Sequence, residues 1–350
     1  MTIFLAILAF GVLIAVHEGG HFAAAKACGV KVNEFALGMG PALLKKQGKE
    51  TLYSLRLLPI GGYCAMEGED EETGDPRAFT AKPAWQRIII LCAGAAMNFL
   101  VGFLLILAIA PRANFTEPIV LDFMENCPYE GAVQVGDRFY SIDGHRTYFT
   151  NNVSEYLARS GSDTHRIVLI RDGRRVTLDN YEMPLVSYPQ EDGSALLRYG
   201  FYFAPREFTF AANLRYSWYE AMDFVRLVWR SLGDLFTGGA KVQDLSGAVG
   251  VVDFVNQVTN EAETVEEASF DFLYIFALIA VNLAVMNMLP IPALDGGRVF
   301  FTLITAAVER IRGKKPDPKY EAIINAAGLV LLMGLMALVM FNDILKIIRR

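Results

Sequence analysis

The sequence predicts a polytopic α-helical membrane protein with four transmembrane helices, a membrane-associated β-hairpin or loop, and an inserted extracytoplasmic α+β domain. Three observations predict it. Of 350 residues, 53% are hydrophobic while 20% stay charged, and the mean hydropathy is +0.31; that mixture calls for lipid-buried spans joined to a solvated part. Four stretches, about 2–25, 87–110, 270–290 and 323–341, are long and apolar enough to cross a hydrocarbon core of ~30 Å. Between the second and third lies a long polar stretch with alternating apolar residues and Asp-Gly turns, which reads as strands forming a domain of their own.

The first span (1–25) holds the most unusual residues. His17-Glu18-Gly19-Gly20-His21 sits where an uncharged run from Thr2 to Val16 would otherwise continue. An ionisable side chain at bilayer depth costs on the order of 3 kcal/mol, so the cluster signals function. Helical residues four apart share a face, which lets His17 and His21 converge on one metal ion with Glu18 beside them, facing a water molecule. That is half of a zinc hydrolase site. Gly19 and Gly20 each cost a helix about 1 kcal/mol relative to Ala, which implies that another segment packs closely there. A cleaved signal peptide competes for this span through Ala23-Ala24-Ala25, but no Lys or Arg precedes the apolar run.

Residues 26–86 form a membrane-associated β loop region, in which Tyr53, Leu55 and Leu57 alternate within Leu52–Met66 and Gly61-Gly62 follow. The second span (87–110) carries Asn98, for which a packing amide and a substrate contact are equal readings. After the strand-rich stretch, residues 211–237 alternate aromatic and charged residues at helical spacing and read as an amphipathic interfacial helix. A connector (238–269) leads to the third span (270–297), and the fourth covers 323–341. Lys26, Lys31, Lys45, Lys46, Lys49 and Arg56 after the first span, and Arg298, Arg310, Arg312, Lys314, Lys315 and Lys319 after the third, make both loops cytoplasmic by the positive-inside rule. The amino terminus and the stretch from 111 to about 265 then lie outside; Lys346, Arg349 and Arg350 dissent.

A net charge of -6 without a basic, aromatic-studded patch gives no indication of nucleic acid as a partner. The acidic run Glu67 to Glu72 reads as a solvated loop. Cys28, Cys64, Cys92 and Cys127 show no CxxC spacing and read as packing residues.

Two imidazoles leave a hydrolytic zinc one protein ligand short, since such sites hold three and keep the fourth position open. His145 and His165 fall in the polar stretch on the far side of the membrane from His17. A better candidate closes the third span, in Asn287-Met288-Leu289-Pro290-Ile291-Pro292-Ala293-Leu294-Asp295-Gly296-Gly297. Two prolines break the helix, and broken backbone at membrane depth is tolerated where it lines a cavity or is buried in protein. Both spans run outside to inside, so His17, His21 and Asp295 reach a common depth near the cytoplasmic face. The competing reading is an Asp that merely caps the next helix.

With HEGGH on the first span and this Asn287-to-Gly297 motif on the third, the chain resembles the site-two protease family of intramembrane zinc metalloproteases, and within it the bacterial regulator of sigma-E protease group. Gly61-Gly62-Tyr63, Gly94 to Phe99, and Leu245-Ser246-Gly247-Ala248-Val249-Gly250 agree with it. The chain departs from the family at Ala248, where members often carry proline, and at Cys64-Ala65, where they often carry Val-Lys. Residues 115–187 resemble a single PDZ domain, through Gly131 to Phe139, Ile142-Asp143-Gly144, the strand His165–Ile170 and the turn Asp172-Gly173. Relatives often carry two such domains.

The resemblance implies hydrolysis of peptide bonds within single-span membrane proteins, such as membrane-bound anti-sigma factors or remnant signal peptides, in a bacterial cytoplasmic membrane. The expected cofactor is Zn2+, held by His17, His21 and Asp295. Glu18 acts as the base that takes the proton of a water acidified towards a pKa of ~7. Asn287 holds substrate backbone by resemblance, and Asn98, Gly61, Gly62 and Tyr63 complete the substrate-binding candidates. A substrate helix must unwind to expose its carbonyl, so Leu52–Met66 would capture an extended stretch by main-chain pairing. The PDZ-like domain offers a site for a peptide or carboxyl terminus. Against this stands a non-catalytic PDZ-bearing scaffold with a structural zinc, which has no need of Glu18. Metal transport would want ionisable residues along several spans, and the second and fourth are nearly bare.

Overall fold

The computed structural model describes residues 2–69, 73–112, 116–159, 161–189, 195–205, 209–238, 250, 255–258, 264–313 and 318–349. The chain divides into two compact units. One comprises Met1–Ile109 with Glu220–Arg350, the other Ala110–Tyr219. Among the described residues, four helices are long and apolar enough to cross a membrane. They are α1 (Thr2–Ala27), α2 (Ala84–Ile109), α5 (Val265–Asn287) and α7 (Pro318–Arg349). The protein is therefore a membrane protein with a β-containing region.

Small residues set how closely the spans of the first unit approach. A Cβ on Gly20 would lie 2.5 Å from the carbonyl oxygen of Ala93, so α1 and α2 touch backbone to backbone there. The close packing expected at both glycines of HEGGH holds for Gly20 alone; a Cβ on Gly19 would meet nothing within 4 Å. Further along α2, a Cβ on Gly102 would fall 2.6 Å from Val281 Cγ2 of α5. Such contacts suit membrane helices, which gain little from apolar burial against one another and depend on close approach. Ile106 of α2 and Ala277 and Val281 of α5 also enclose Ala221 and Phe224 of α4 (Phe210–Thr237). Beside them the buried Glu220 accepts a 2.6 Å hydrogen bond from the Tyr274 hydroxyl.

Between α1 and α2 run two long antiparallel strands, β1 (Val32–Gln47) and β2 (Leu52–Met66). Each bends and pairs twice. Residues 34–37 of β1 pair with 62–65 of β2 on one side and with 52–55 on the other, and 52–55 then pair with 44–47. Two strands thus build a four-ribbon curl whose outer ribbons are 44–47 and 62–66. Gly38 and Gly40, at φ 84° and 83°, supply the left-handed residues the bend in β1 needs. Leu43, Leu44, Leu55, Leu57 and Leu58 are exposed on this curl, an apolar surface suited to a lipid boundary.

In the second unit, strands β3 (Thr116–Phe123), β4 (Arg138–Ile142), β5 (His145–Arg146), β6 (Thr164–Arg171), β7 (Arg174–Glu182) and β10 (Phe201–Pro205) form one sheet in the order β10-β3-β4-β6-β7, with β5 paired to β4. Strands β8 (Val186–Pro189) and β9 (Ala195–Arg198) form a separate hairpin. Val153 and Leu157 of α3 (Thr150–Arg159) cover Phe139, Ile142, Ile167 and Leu169. Asp172 and Gly173, both with positive φ, make the tight turn between β6 and β7. The buried Asp137 carboxylate takes a two-pronged pair of bonds from Arg171, 2.8 Å to Nε and 2.7 Å to Nη2, which offsets its burial. The sheet runs beyond the PDZ-like stretch of 115–187, because Phe201 and Phe203 of β10 pack on Phe139.

α5 ends at Asn287, and after a short irregular stretch α6 (Asp295–Arg312) begins. Of the Leu245–Gly250 motif, only Gly250 lies within the described residues.

Candidate metal centre

HEGGH lies on continuous helix within α1, and the helical repeat puts His17 and His21 one turn apart on a single face. Their Nε2 atoms are 3.2 Å apart. Asp295 arrives from 274 positions further along the chain than His21, yet its Oδ2 lies 3.1 Å from His17 Nε2 and 3.3 Å from His21 Nε2. The backbone break delivers it. Ala293 takes φ 75°, a left-handed conformation unusual for a residue with a side chain. Cβ atoms on Gly296 and Gly297 would sit 2.3 Å from the Met288 carbonyl carbon and oxygen and 2.2 Å from the Ile291 oxygen, so only glycines let α6 start against that loop. The helix is capped by Leu294 without a side-chain hydrogen bond. Asp295 is not the cap; its carboxylate faces the two imidazoles.

The donor set fits a zinc ion. Two imidazoles and a carboxylate form a hydrolytic trio. A tetrahedral ion with ligand bonds of ~2.0 Å holds its ligand atoms ~3.3 Å apart, so the observed triangle has the size of one tetrahedral face. Asp295 Oδ2 is buried and has no hydrogen-bond partner among the described residues, as an atom reserved for a cation would be. His21 Nδ1 is 2.8 Å from the carbonyl oxygen of Ile90. A carbonyl can only accept, so Nδ1 carries the proton and the neutral ring turns the Nε2 lone pair towards the trio.

α2 supplies the back wall. A Cβ on Gly94 would lie 2.3 Å from His21 Nε2 and 2.7 Å from His17 Cε1. Gly94→Ala is therefore expected to push both rings off the triangle and to lower bound zinc at least tenfold, measured as metal content of the purified, dialysed chain. The Gly94 to Phe99 stretch carries part of the family resemblance, but why a glycine is needed there comes from neighbours some seventy residues away.

The trio opens into a cavity of about 370 Å3 lined by Glu18, Gly62, Tyr63, Cys64, Ala65, Met66, Glu69, Leu91 and Arg298 as well as the three candidate ligands. Glu18 therefore shares a wall with the trio. A Cβ on Gly62 would be 3.1 Å from Glu18 Cγ, so this glycine keeps the β2 ribbon close to the carboxylate. The ribbon 62–66 pairs with β1 along one side and has no strand partner on the other among the described residues. Arg56 reaches across the curl, donating to Tyr63 and, at 2.8 Å, to Glu34. Burial of the Cys64 thiol pushes its pKa up to about 12, which leaves it a protonated wall residue. Arg298, one turn past Asp295, is ion-paired with Glu69, whose other oxygen accepts the Met66 N–H at 3.2 Å. That pair ties α6 to the end of β2. Sequence reading passed over it, because Glu69 stands in an acidic run and Arg298 in a basic loop.

The remaining sequence candidates fall elsewhere. Gly61 (φ 80°) shapes the strand and lies outside the cavity lining, as does Asn287, half-buried at the end of α5. Asn98 is fully buried, with Nδ2 3.4 Å from His17 Nδ1. His145 and His165 belong to the second unit, where His165 Nδ1 bonds Asp143 at 2.8 Å. The four cysteines are free.

Comparison with known proteins places the chain among zinc metalloproteases. The family model described as peptidase family M50 matches residues 5–335. A Clostridium acetobutylicum protein provisionally named a zinc metalloprotease is 36% identical over 347 residues, covering 98% of this chain and 97% of its own. The zinc metalloprotease RasP of Shouchella clausii is 29% identical, covering 99% of this chain and 100% of its own. The regulator of sigma-W protease RasP of Bacillus subtilis is 27% identical, covering 99% of each.

Proposed function

The chain belongs to peptidase family M50, and from that premise we propose that His17, His21 and Asp295 hold the zinc of an intramembrane metalloprotease in which Glu18 is the catalytic base. The observation that carries this reading is the ligand-sized triangle of two Nε2 atoms and one carboxylate oxygen, with Glu18 on the wall of the same cavity. The protein is a zinc metalloprotease of regulated intramembrane proteolysis, and its substrates are single-span membrane proteins.

When bound, zinc supplies Lewis-acid polarisation of the scissile carbonyl and acidification of the attacking water. Glu18 accepts that water's proton and returns it to the departing amine, so no covalent enzyme intermediate is needed. Gly62–Met66 offers its free edge to an unwound substrate by strand addition, with main-chain bonds giving affinity irrespective of sequence. Gly62 and Tyr63 line the cavity. Gly61 acts through the conformation of its strand, Asn98 through the groups it touches, and Asn287 by holding substrate backbone. Residues 115–187, within the unit Ala110–Tyr219, are a single extracytoplasmic PDZ-type domain that takes a peptide or carboxyl terminus. The metal centre lies towards the cytoplasmic face of a bacterial inner membrane, as the basic loops after α1 and α5 suggest.

The test is metal removal. The purified full chain, given a labelled single-span substrate in detergent, should lose cleavage in excess chelator and regain it with zinc but not with magnesium, whose preference is for oxygen donors. Undiminished cleavage by metal-free protein would remove zinc from the reaction.

A further inference from the structure

We propose that Asn98 is a positioning residue for the metal centre: its side-chain amide holds His17 in the one tautomer and ring orientation that present Nε2 to the ion. This rests on the metal reading above and assigns the role of one further residue within it.

The two imidazoles are held from behind by different means. His21 has a main-chain acceptor, the Ile90 oxygen at 2.8 Å. His17 is 12% exposed and turns its Nε2 towards Asp295, so a neutral ring that ligates through Nε2 must carry its proton on Nδ1. The group beside that Nδ1 is the Asn98 amide, at 3.4 Å, on the face of α2 that also carries Gly94. Asn98 is completely buried, and its Oδ1 has no hydrogen-bond partner among the described residues. A buried carbonyl oxygen left unsatisfied costs about 1–3 kcal/mol.

Oxygen and nitrogen of an amide are distinguished by their bonding pattern. Turning the Asn98 amide about its terminal bond brings Oδ1 to the imidazole, where it accepts the Nδ1–H. One rotation thus gives the orphan oxygen a donor and fixes the His17 tautomer, with Nδ2 moving into the place Oδ1 leaves. Burial and a place outside the cavity lining set Asn98 apart from a residue that touches substrate.

Partners of this kind govern how tightly a metal is held; their loss costs 10- to 100-fold in affinity. The experiment compares the full-length chain, loaded with zinc in detergent, in four forms: wild type, Asn98→Leu, Asn98→Asp and Asp295→Ala. It measures zinc transfer to excess chelator by an indicator dye and the visible spectrum of the cobalt-substituted protein. Asn98→Leu keeps the shape and removes the acceptor, so zinc should leave 10- to 100-fold faster and the cobalt bands should shift. Asn98→Asp keeps an oxygen acceptor and should stay within about threefold of wild type, well inside the tenfold minimum for losing such a partner. If Asn98→Leu holds zinc as wild type does, or if Asn98→Asp leaks as fast as Asn98→Leu, the assignment is overturned. Cleavage lost in Asn98→Leu with zinc retention unchanged points to a substrate contact and overturns it too. Should Asn98→Leu misfold, the Asn98→Asp comparison and Asn98→Ser, which keeps a shorter acceptor and should fall between the two, decide the matter. Failure of the underlying reading looks different: wild type would hold no zinc, or Asp295→Ala would hold it as firmly as wild type.

Discussion

Glu18→Gln should abolish cleavage, lowering it by at least about a hundredfold, while the purified chain keeps its zinc. The glutamine amide has nearly the shape of the carboxylate but cannot take a proton from water, so the substitution removes acid–base capacity and little else. Glu18 lines the cavity without belonging to the ligand triangle, which is why metal content and activity should separate. The measurement pairs cleavage of a labelled single-span substrate with metal content on the same preparation. Normal cleavage by Glu18→Gln would take the base assignment away from this residue. Loss of zinc together with activity would instead make Glu18 part of the metal's support.

Asp295→Ala should behave differently, losing zinc and cleavage together. Two imidazoles alone form an incomplete shell, and metal affinity falls steeply when one of three protein ligands is removed. The contact at 3.1 and 3.3 Å to the two Nε2 atoms leaves no other carboxylate in the trio to substitute. Metal content after dialysis should drop to background and added zinc in moderate excess should fail to restore cleavage. Retention of a tightly held ion by Asp295→Ala would mean that the third ligand lies elsewhere. The contrast between the two variants separates a ligand from a base more sharply than either variant does alone.

Local pattern made part of this centre legible. His17 and His21 needed only the helical repeat to be placed on one face, and a run of apolar residues around them marked the cost of putting them there. Asp295 was legible because two prolines and two glycines interrupt an apolar span. The Asp172-Gly173 turn and its flanking strands followed from turn chemistry of the same local kind.

Other features were not, and the reason is sequence distance. The acceptor for His21 is the Ile90 carbonyl 69 residues away, and the amide beside His17 is 81 residues away. Glu69 and Arg298 meet across 229 residues. Neither periodicity nor residue type reports which backbone will lie behind a ring. The double pairing of β1 with β2 was equally hidden, since alternation announces a strand but not that it will bend and serve two partners. Of the two glycines in HEGGH, only packing told which one needed to be glycine.

Hydropathy, helical repeat and chain-breaking residues were enough to mark the four apolar spans, the pair of imidazoles with their carboxylate neighbour, and the broken backbone that carries the candidate third ligand. These depend on hydropathy, helical repeat and the conformational limits of proline and glycine, all of which act within a few residues. Only the three-dimensional packing decided that the three candidate ligand atoms close to the size of a tetrahedral face, that α2 leaves room for the rings at Gly94, and that residues 62–66 of β2 line the cavity. Those outcomes depend on contacts between segments tens to hundreds of residues apart, where close packing fixes positions to fractions of an ångström.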